Sequence, residues 1–343
     1  MNKTTRLVLF IILLIAGFGC NKGNRSTENI LNQAYEKEKL KDYSGAIAEY
    51  DKALQIDPEN ADILYKRGTA RYHSENFAGA LADFNKVISI NPNSLEVYFN
   101  RAVVKEDLND LNGAIADYDL ITQKNPEAQE AYYNRALLKN QMKNYQEAEE
   151  DFNQAIKISP DYYEAYIGRA VAREAMGNDE NALEDYYKAL EIDSGFQEAY
   201  LGIALIKDKQ QDMEGALYGY NQVIQINPNA FEALFKRAYV KEQAGDIQGA
   251  LNDYNKAIEV NPEAYQAYFN RALIKDKIFD IQGAIADFTK MIEHNPSHAE
   301  AYTGRGLNKI KAGLTEEGCL DLKKAMDLGN EQAKEAFQQF CGS

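Results

Sequence analysis

The sequence predicts an all-α fold in which helical hairpins stack side by side into a solenoid. Three features recur every 34 residues: an alanine, an aromatic residue four positions later, and in most repeats a proline twelve positions after the alanine. The alanine slot holds Ala46, Ala80, Ala114, Ala148, Ala182, Ala216, Ala250 and Ala284. A period of this length is typical of two-helix units, which bury their apolar faces only by stacking on their neighbours. We therefore expect nine tandem units over residues 27–332, and no appended catalytic module, because no linker interrupts them.

The first 19 residues are predicted to form a signal peptide that precedes the fold. Lys3 and Arg6 are followed by a run, residues 7–19, without a polar side chain, and this run is shorter than the about 20 apolar residues of a membrane span. The run ends in GFGC, which resembles a bacterial lipoprotein signal. That resemblance implies that Cys20 is lipidated and becomes the new N-terminus. An ordinary secretory signal or a short uncleaved anchor, with Cys20 incidental, is the alternative.

Residues 20–28 are expected to form a short polar tether. Asn21 rather than an aspartate follows Cys20, which under the sorting rule for such lipoproteins implies the outer membrane. The tether has no acidic cluster that would mark surface export, so we expect the chain to face the periplasm.

The charge of the chain limits its partners. Removing residues 1–19 takes away two positive charges and no negative ones, so the net charge changes from −15 to −17. A strongly acidic protein repels nucleic acid and anionic lipid, because phosphate binding needs basic patches. We expect neutral or basic peptide segments of other envelope proteins as partners, and no nucleic acid.

One unit, residues 231–264, shows why each repeat is expected to be a hairpin. Its first half has apolar residues at helical spacing until Gly245 ends the helix. Its second half places Ala250 and Tyr254 on one apolar stripe. Pro262 stops the second helix because proline lacks an N–H group and disfavours helical geometry in the preceding residue.

The order of small residue, aromatic residue, small residue and proline resembles the tetratricopeptide repeat family, from about Thr27 to Gln332. The resemblance implies a right-handed superhelical solenoid of about nine hairpins, with a groove lined by the first helix of each unit. The first helix of unit one departs from the pattern and is expected to fray. Residues 331–340 are expected to form a final amphipathic helix that caps the last apolar face, and the capping segment is assigned to residues 333–343.

Two cysteines lie near the predicted cap. Cys319 and Cys341 flank a turn near Gly329, so an antiparallel pair of helices would bring their sulfurs to the same end. In an oxidising compartment we expect a disulfide between them. The alternative is two small buried hydrophobic side chains.

A repeated arginine in the first helix and a repeated aspartate in the second are expected to form structural ion pairs. The sixth unit lacks both, having Ile203 and Gly219, and joint loss is what pairing predicts. The alternative is an arginine ladder that binds an anionic ligand. The expected pairs are Arg67 with Asp83, Arg101 with Asp117, Arg135 with Asp151, Arg169 with Asp185, Arg237 with Asp253, Arg271 with Asp287, and Arg305 with Asp321.

The family resemblance assigns the groove to certain positions of the first helices. Position 5 is mainly aromatic, and we assign apolar contact to Tyr65, Phe99, Tyr133, Phe235 and Phe269. Position 2 is mainly acidic, and we assign electrostatic steering to Glu130, Glu164 and Glu232. The alternative is that the rings only pack between helices and that the carboxylates form a solvated face.

Three asparagines occupy position 6 of their units: Asn100, Asn134 and Asn270. In family members that hold extended peptides, asparagines at this position bond the peptide backbone, and an amide supplies both a donor and an acceptor. The series is incomplete, because glycine or lysine stands at the same position in other units. The alternative is that these amides only cap or are solvated.

The sequence contains no pattern typical of an enzyme or a cofactor site. His294 and His298 are four residues apart, but Pro296 lies between them, so we expect no metal site. The expected function is therefore a non-catalytic scaffold that binds an extended peptide segment, without a cofactor. A structural subunit of an outer-membrane assembly or secretion complex, which contacts folded partners, is the alternative.

Overall fold

The computed structural model describes residues 25–342, and every regular element among them is an α-helix. The helices form two compact units, the first ending at Asn178 and the second beginning at Asp179. The first unit contains α1 (Arg25–Lys39), α2 (Tyr43–Ile56), α3 (Ala61–His73), α4 (Phe77–Ile90), α5 (Leu95–Asp107), α6 (Leu111–Lys124), α7 (Gln129–Gln141), α8 (Tyr145–Ile158) and α9 (Tyr163–Ala175).

The second unit begins with a helix that continues the same alternation. It contains α10 (Asp179–Ile192), α11 (Gln197–Lys209), α12 (Met213–Ile226), α13 (Phe231–Gln243), α14 (Ile247–Val260), α15 (Tyr265–Lys277), α16 (Ile281–His294), α17 (Ala299–Lys311), α18 (Thr315–Asp327) and α19 (Glu331–Phe340). Within each unit, every helix packs against the next one in the chain. No helix in this part of the chain is both long and apolar enough to cross a membrane.

The turn inside each hairpin is built from local hydrogen bonds. Before α14, Gly245 has a φ of 82°, and the N–H of Asp246 bonds the carbonyl of Lys241 at 2.9 Å. The Asp246 carboxylate then caps α14 by accepting the N–H of Gly249 at 2.9 Å. A Cβ on Gly249 would lie 2.0 Å from that carboxylate, so the cap requires a glycine there.

The prolines produce the turn between hairpins. Pro126 biases Asn125 away from helical geometry, and Asn125 has a φ of −131° and a ψ of 92°. Its backbone N–H still bonds the carbonyl of Ile121 at 2.7 Å, and its side-chain oxygen accepts the N–H of Glu127 at 3.2 Å. The chain therefore reverses within a few residues and starts α7.

The repeated alanines and aromatic residues form the core of both units. Each of the eight alanines of the repeat is fully buried, and aromatic residues such as Tyr118 and Phe152 are buried four positions later. Larger side chains at the alanine positions would overpack the contact between helices, at a cost of roughly 1–3 kcal/mol.

The first and last helices define the ends of the described chain. Helix α1 begins at Arg25, so residues 25–28, assigned to the tether, lie in a helix, and the fraying of this helix stays a prediction. Helix α19 begins at Glu331 and ends at Phe340, the bounds expected for the last amphipathic helix, so it starts two residues before the assigned capping segment 333–343. It packs on α18 and α17 and buries Ala333 and Ala336. The signal peptide, Cys20 and the tether up to residue 24 lie outside the described residues.

Candidate functional site

The repeated arginines are engaged in ion pairs and not in a ligand-binding ladder. The guanidinium of Arg101 donates to both oxygens of Asp117, from Nε at 2.9 Å and from Nη2 at 2.5 Å. Lys105 contacts the same carboxylate at 2.8 Å. Nη1 of Arg101 bonds Asn85 of the preceding hairpin at 2.8 Å, and the guanidinium stacks on the ring of Tyr98. The arginine therefore joins two hairpins and has no free face for an anion.

The same bidentate contact occurs in five other repeats. The pairs are Arg67 with Asp83, Arg135 with Asp151, Arg237 with Asp253, Arg271 with Asp287, and Arg305 with Asp321. Their aspartates are nearly fully buried. Each aspartate also contacts a second cation one helical turn after the arginine, which the sequence analysis did not single out.

The seventh expected pair is Arg169 with Asp185, and the sixth repeat has neither residue at these positions. Arg169 and Asp185 lie in different compact units; Nη1 of Arg169 donates to Asn153 at 2.5 Å, and Asp185 is buried. In the sixth repeat Ile203 is buried without a charged neighbour of this kind. A Cβ on Gly219 would lie 2.8 Å from Cβ of Ala204, so close backbone approach replaces the ion pair.

The position-5 rings on the first helices pack partly into the core. Phe99 contacts Tyr118 edge to face, with ring centroids 5.5 Å apart, and the equivalent rings make the same kind of contact in their own hairpins. Tyr133 is buried, whereas Tyr65, Phe99, Phe235 and Phe269 stay half-buried. The rings thus pack between helices, and four of the five also keep some exposed surface that a partner could contact.

The three asparagines have three different surroundings. Asn100 is only 3% exposed, and its Nδ2 donates to the Tyr65 hydroxyl at 2.8 Å. That hydroxyl donates in turn to Glu96 at 2.5 Å. Burial, followed by the Glu96 carboxylate, raises the pKa of Tyr65, so the phenol stays protonated as a donor. The contact with Tyr65 uses one of the two N–H donors of the Asn100 amide, and the residue is almost fully buried, so the expectation that Asn100 bonds a peptide backbone stays a prediction.

The other two amides are more accessible. Asn270 donates to the Tyr254 hydroxyl at 3.2 Å, a longer contact, and is half-buried. Asn134 is half-buried and forms no side-chain hydrogen bond in the part of the chain that the structure describes. Of the three, Asn134 keeps both its donor and its acceptor available.

Steric crowding explains why glycine stands at position 6 in two of the repeats that lack the asparagine. A Cβ on Gly168 would lie 2.4 Å from the ring of Phe152, and one on Gly202 would lie 2.3 Å from the ring of Tyr186. In these repeats the aromatic ring of the preceding second helix occupies the space where an asparagine would begin. A complete asparagine series is therefore incompatible with this packing.

A cleft of about 400 Å³ opens between α5 and α7 in the first unit. Its apolar wall comes from Leu95 and Phe99 on α5, Ile121 at the end of α6, and Ala128 and Ala131 at the start of α7. Polar lining is provided by Glu96, Asn100, Asn125, Glu127 and Glu130. An apolar cleft with a few convergent polar groups is the usual form of a binding site. The predicted residues Phe99, Asn100 and Glu130 meet here, but the sequence did not indicate the contribution of Leu95, Ile121 and Ala128.

A ring at the residue that precedes the first helix fills the space that such a cleft would occupy. Beside Phe99 this residue is Ala128, which leaves the face of the ring free. One repeat later it is Tyr162, whose ring lies 5.0 Å from that of Tyr133. Beside Phe269 it is His298, at 4.8 Å between centroids. In both cases a ring occupies the space that is empty next to Phe99.

The other two predicted acidic residues are not part of this cleft. Glu164 is half-buried beside Tyr162, whose pKa is raised by burial and then by Tyr133, Glu164 and Glu130. Glu232 is exposed at the start of α13 in the second unit. Neither Glu164 nor Glu232 lines the cleft.

The histidines serve local roles. His298 caps α17 by accepting the N–H of Ala301 at 3.2 Å, and His294 contacts Glu263 at 3.2 Å. Among residues 25–342, no group of three or more histidine, cysteine, aspartate or glutamate side chains is arranged to hold a metal ion.

Comparison with protein families identifies the repeat. Models described as tetratricopeptide repeat match residues 62–94, 130–162, 163–196, 198–230 and 235–274, and one described as TPR repeat matches residues 39–74. Together these matches cover more than half of the chain. The sequence has no significant match among curated proteins.

Solved structures share the fold at low sequence identity. The C-terminal part of a TPR repeat-containing protein from Cytophaga hutchinsonii is 19% identical, with a TM-score of 0.58 over 71% of this chain and 97% of that chain. PilF of Pseudomonas aeruginosa is 18% identical, with a TM-score of 0.52 over 62% of this chain and 98% of that chain. YrrB, described as a TPR protein with an unusual peptide-binding site, is 23% identical, with a TM-score of 0.51 over 55% of this chain and 97% of that chain. These likenesses establish the fold alone.

Proposed function

Because the chain belongs to the tetratricopeptide repeat proteins, we propose that it is a non-catalytic scaffold that binds an extended, neutral or basic segment of another protein along its first helices. The observation that supports this most directly is the open cleft between α5 and α7. It offers an apolar wall beside carboxylate and amide groups, which suits a peptide that presents side chains at alternate positions.

The proposed contacts follow from the surroundings of each side chain. Phe99 provides an apolar surface, and Asn134, one repeat further along, provides an amide for the peptide backbone. In the second unit Phe235, Phe269 and Asn270 offer a similar set. YrrB, which shares the fold, is described as having a peptide-binding site, and we extend that role to this chain by analogy.

We further propose that lipid on Cys20 tethers the chain to the outer membrane, facing the periplasm, so that its partners are other envelope proteins. This proposal rests on the sequence GFGC after an apolar run and on Asn21.

The function can be tested by selecting peptides from a random library against the purified protein. The substitution Ala128→Tyr should introduce the ring that Tyr162 already places in the next repeat, and so close the cleft. We expect Ala128→Tyr to lower the affinity of the selected peptides at least about 10-fold, which equals about 1.4 kcal/mol of binding free energy, as measured by fluorescence anisotropy.

A matched control is available in the second unit. Ala230 precedes α13 in the same register and is half-buried like Ala128, so Ala230→Tyr adds an equal ring away from the cleft. We expect Ala230→Tyr to leave the affinity of cleft-dependent peptides unchanged. Failure to select any peptide, or equal binding by the Ala128→Tyr variant, would contradict peptide binding in this cleft.

The second candidate function, a subunit that contacts folded partners, is favoured by one observation. Phe279, in the turn between α15 and α16, is 81% exposed, and its neighbour Ile278 is exposed as well. An aromatic ring on a hairpin tip suits contact with a flat protein surface better than contact with an extended peptide.

A further inference from the structure

Three carboxylates edge the cleft between α5 and α7, and none of them has a cationic partner. Glu96 accepts a hydrogen bond from the Tyr65 hydroxyl, and Glu130 accepts a long one, 3.3 Å, from Gln129. Within residues 25–342, no salt bridge joins Glu96, Glu127 or Glu130 to a lysine, arginine or histidine. The nearby Lys124 donates to Asn93 instead, at 2.7 Å.

Some acidic residues at the same register elsewhere have partners. Asp62 pairs with Lys66 at 3.0 Å, and Glu263, which corresponds to Glu127, contacts His294. Glu164, Glu198 and Glu232 share the position of Glu96 and Glu130 and also form no salt bridge among residues 25–342. What distinguishes the cleft is that three such carboxylates line one open apolar wall.

The combination of three carboxylates and an open apolar wall occurs in one repeat. Next to Tyr133 the acidic residues are kept, as Glu130, Asp161 and Glu164, but Tyr162 fills the space. In the second unit the repeat with Phe235 and Ala264 has glutamine at position 266 in place of the third acid, and the repeat with Leu201 and Ala230 has Asn229 in place of the second.

We propose that this cleft is an anchor for one lysine or arginine side chain of the extended partner segment, an inference that rests on the function proposed above. The aliphatic stem would lie along Leu95, Phe99 and Ile121, and the charged group would reach the carboxylates at the rim. A cation near the ring of Phe99 gains a further favourable interaction with the π system.

The arrangement favours a cation over a neutral side chain for a physical reason. Placing a neutral side chain against the wall would bring the three carboxylates close to a low-dielectric surface without compensating charge. A basic side chain supplies that charge, and the net charge of −15 would speed its approach. The register of the peptide is thereby set, because only this repeat offers the complete site.

The test uses five pools of fluorescent nonapeptides that differ only at the central residue. The centre is lysine, arginine, norleucine, glutamine or glutamate, and the flanks are randomised without basic residues. We expect the lysine and arginine pools to bind the full-length protein about 10-fold more tightly than the norleucine pool, by fluorescence anisotropy at low salt. In the Glu127→Gln, Glu130→Gln double variant, this preference should fall to about two-fold or less.

The matched control removes the same charge elsewhere. Glu184 and Glu214 are exposed acidic residues on second helices without a salt bridge, so Glu184→Gln with Glu214→Gln should keep the full preference. Circular dichroism should show unchanged helix content in both double variants, because all four carboxylates are at the surface or half-buried.

The outcomes separate the two proposals. Equal binding of the norleucine and lysine pools, or an equal loss of preference in the control variant, would overturn the cation anchor while leaving peptide binding intact. If none of the five pools binds, both the anchor and the proposed peptide-binding function fail.

Discussion

Phe279 places a large aromatic side chain at a strained and exposed turn position, which in five other hairpins holds a polar residue with a similar φ. It has a φ of 60°, a region that disfavours residues with a Cβ, and its ring is 81% exposed. Gly177, Gly245 and Gly313 occupy the same slot in other hairpins. A bulky residue here gains little from packing, so the fold alone gives no reason for it.

We predict that Phe279→Gly stabilises the protein by about 1 kcal/mol, because glycine adopts positive φ without the steric penalty of a side chain. The measurement is urea-induced unfolding followed by circular dichroism. If Phe279 contacts a folded partner, the same substitution should weaken capture of that partner from cross-linked membranes.

The reverse substitution provides the control. Gly245 has a φ of 82°, and a Cβ there would meet no atom within 4 Å, so Gly245→Phe adds strain without a clash. We expect Gly245→Phe to lower the free energy of unfolding by a similar amount, about 1 kcal/mol. If Phe279→Gly unfolds at a lower urea concentration than the wild type, the ring of Phe279 contributes to packing.

Residue identity alone did not distinguish the three asparagines. Asn100, Asn134 and Asn270 share one register, yet only Asn134 keeps its whole amide available. The difference arises from neighbours that are 16 or 35 residues away in sequence, Tyr254 and Tyr65. Spacing predicts which face a side chain occupies, but hydrogen bonds to other repeats decide what it can still bind.

At the scale of an element, α19 is held in two ways. Ala333 and Ala336 pack on the preceding helices, and a disulfide joins Cys319 of α18 to Cys341, with Cα atoms 5.8 Å apart. The helix has only ten residues, and isolated helices of that length are marginal in water. Its contacts with α17 and α18 are therefore what keep it folded.

We predict that the double variant Cys319→Ser, Cys341→Ser loses about 3 kcal/mol of local stability at α19, because the bridge limits the freedom of the unfolded segment. Hydrogen exchange followed by mass spectrometry should show α19 amides exchanging about 100-fold faster.

Helices α1 and α2 serve as the internal reference and should exchange as in the wild type. Unchanged exchange in α19 would mean that the packing of its alanines is sufficient without the bridge.

At the scale of the whole molecule, the chain combines an acidic fold with a proposed lipid tether. Contacts within each compact unit join mostly neighbouring helices, which is the behaviour of repeat proteins. The right-handed superhelix remains a prediction for the chain as a whole.

We predict that Cys20→Ser abolishes incorporation of lipid, because a serine side chain lacks the sulfur atom that would carry it, and that any remaining membrane attachment would come from the apolar run 7–19. The measurement is incorporation of a labelled fatty acid, together with sedimentation of the protein with membranes. Cys319→Ser is the control and should still be labelled and sediment. A Cys20→Ser protein that still incorporates the label would rule out lipidation at this residue.

The 34-residue pattern was sufficient to predict the two helices of each repeat, the turns and the core, because alanine, aromatic residues and proline act locally or through contacts between adjacent helices. The pattern also predicted the pairing of arginine with aspartate, since both residues are absent from the sixth repeat. The pattern did not indicate which repeat has an open cleft. The cleft depends on how the residue before the first helix, such as Ala128 or Tyr162, packs against a ring of the preceding hairpin, and the spacing within one repeat does not contain that contact.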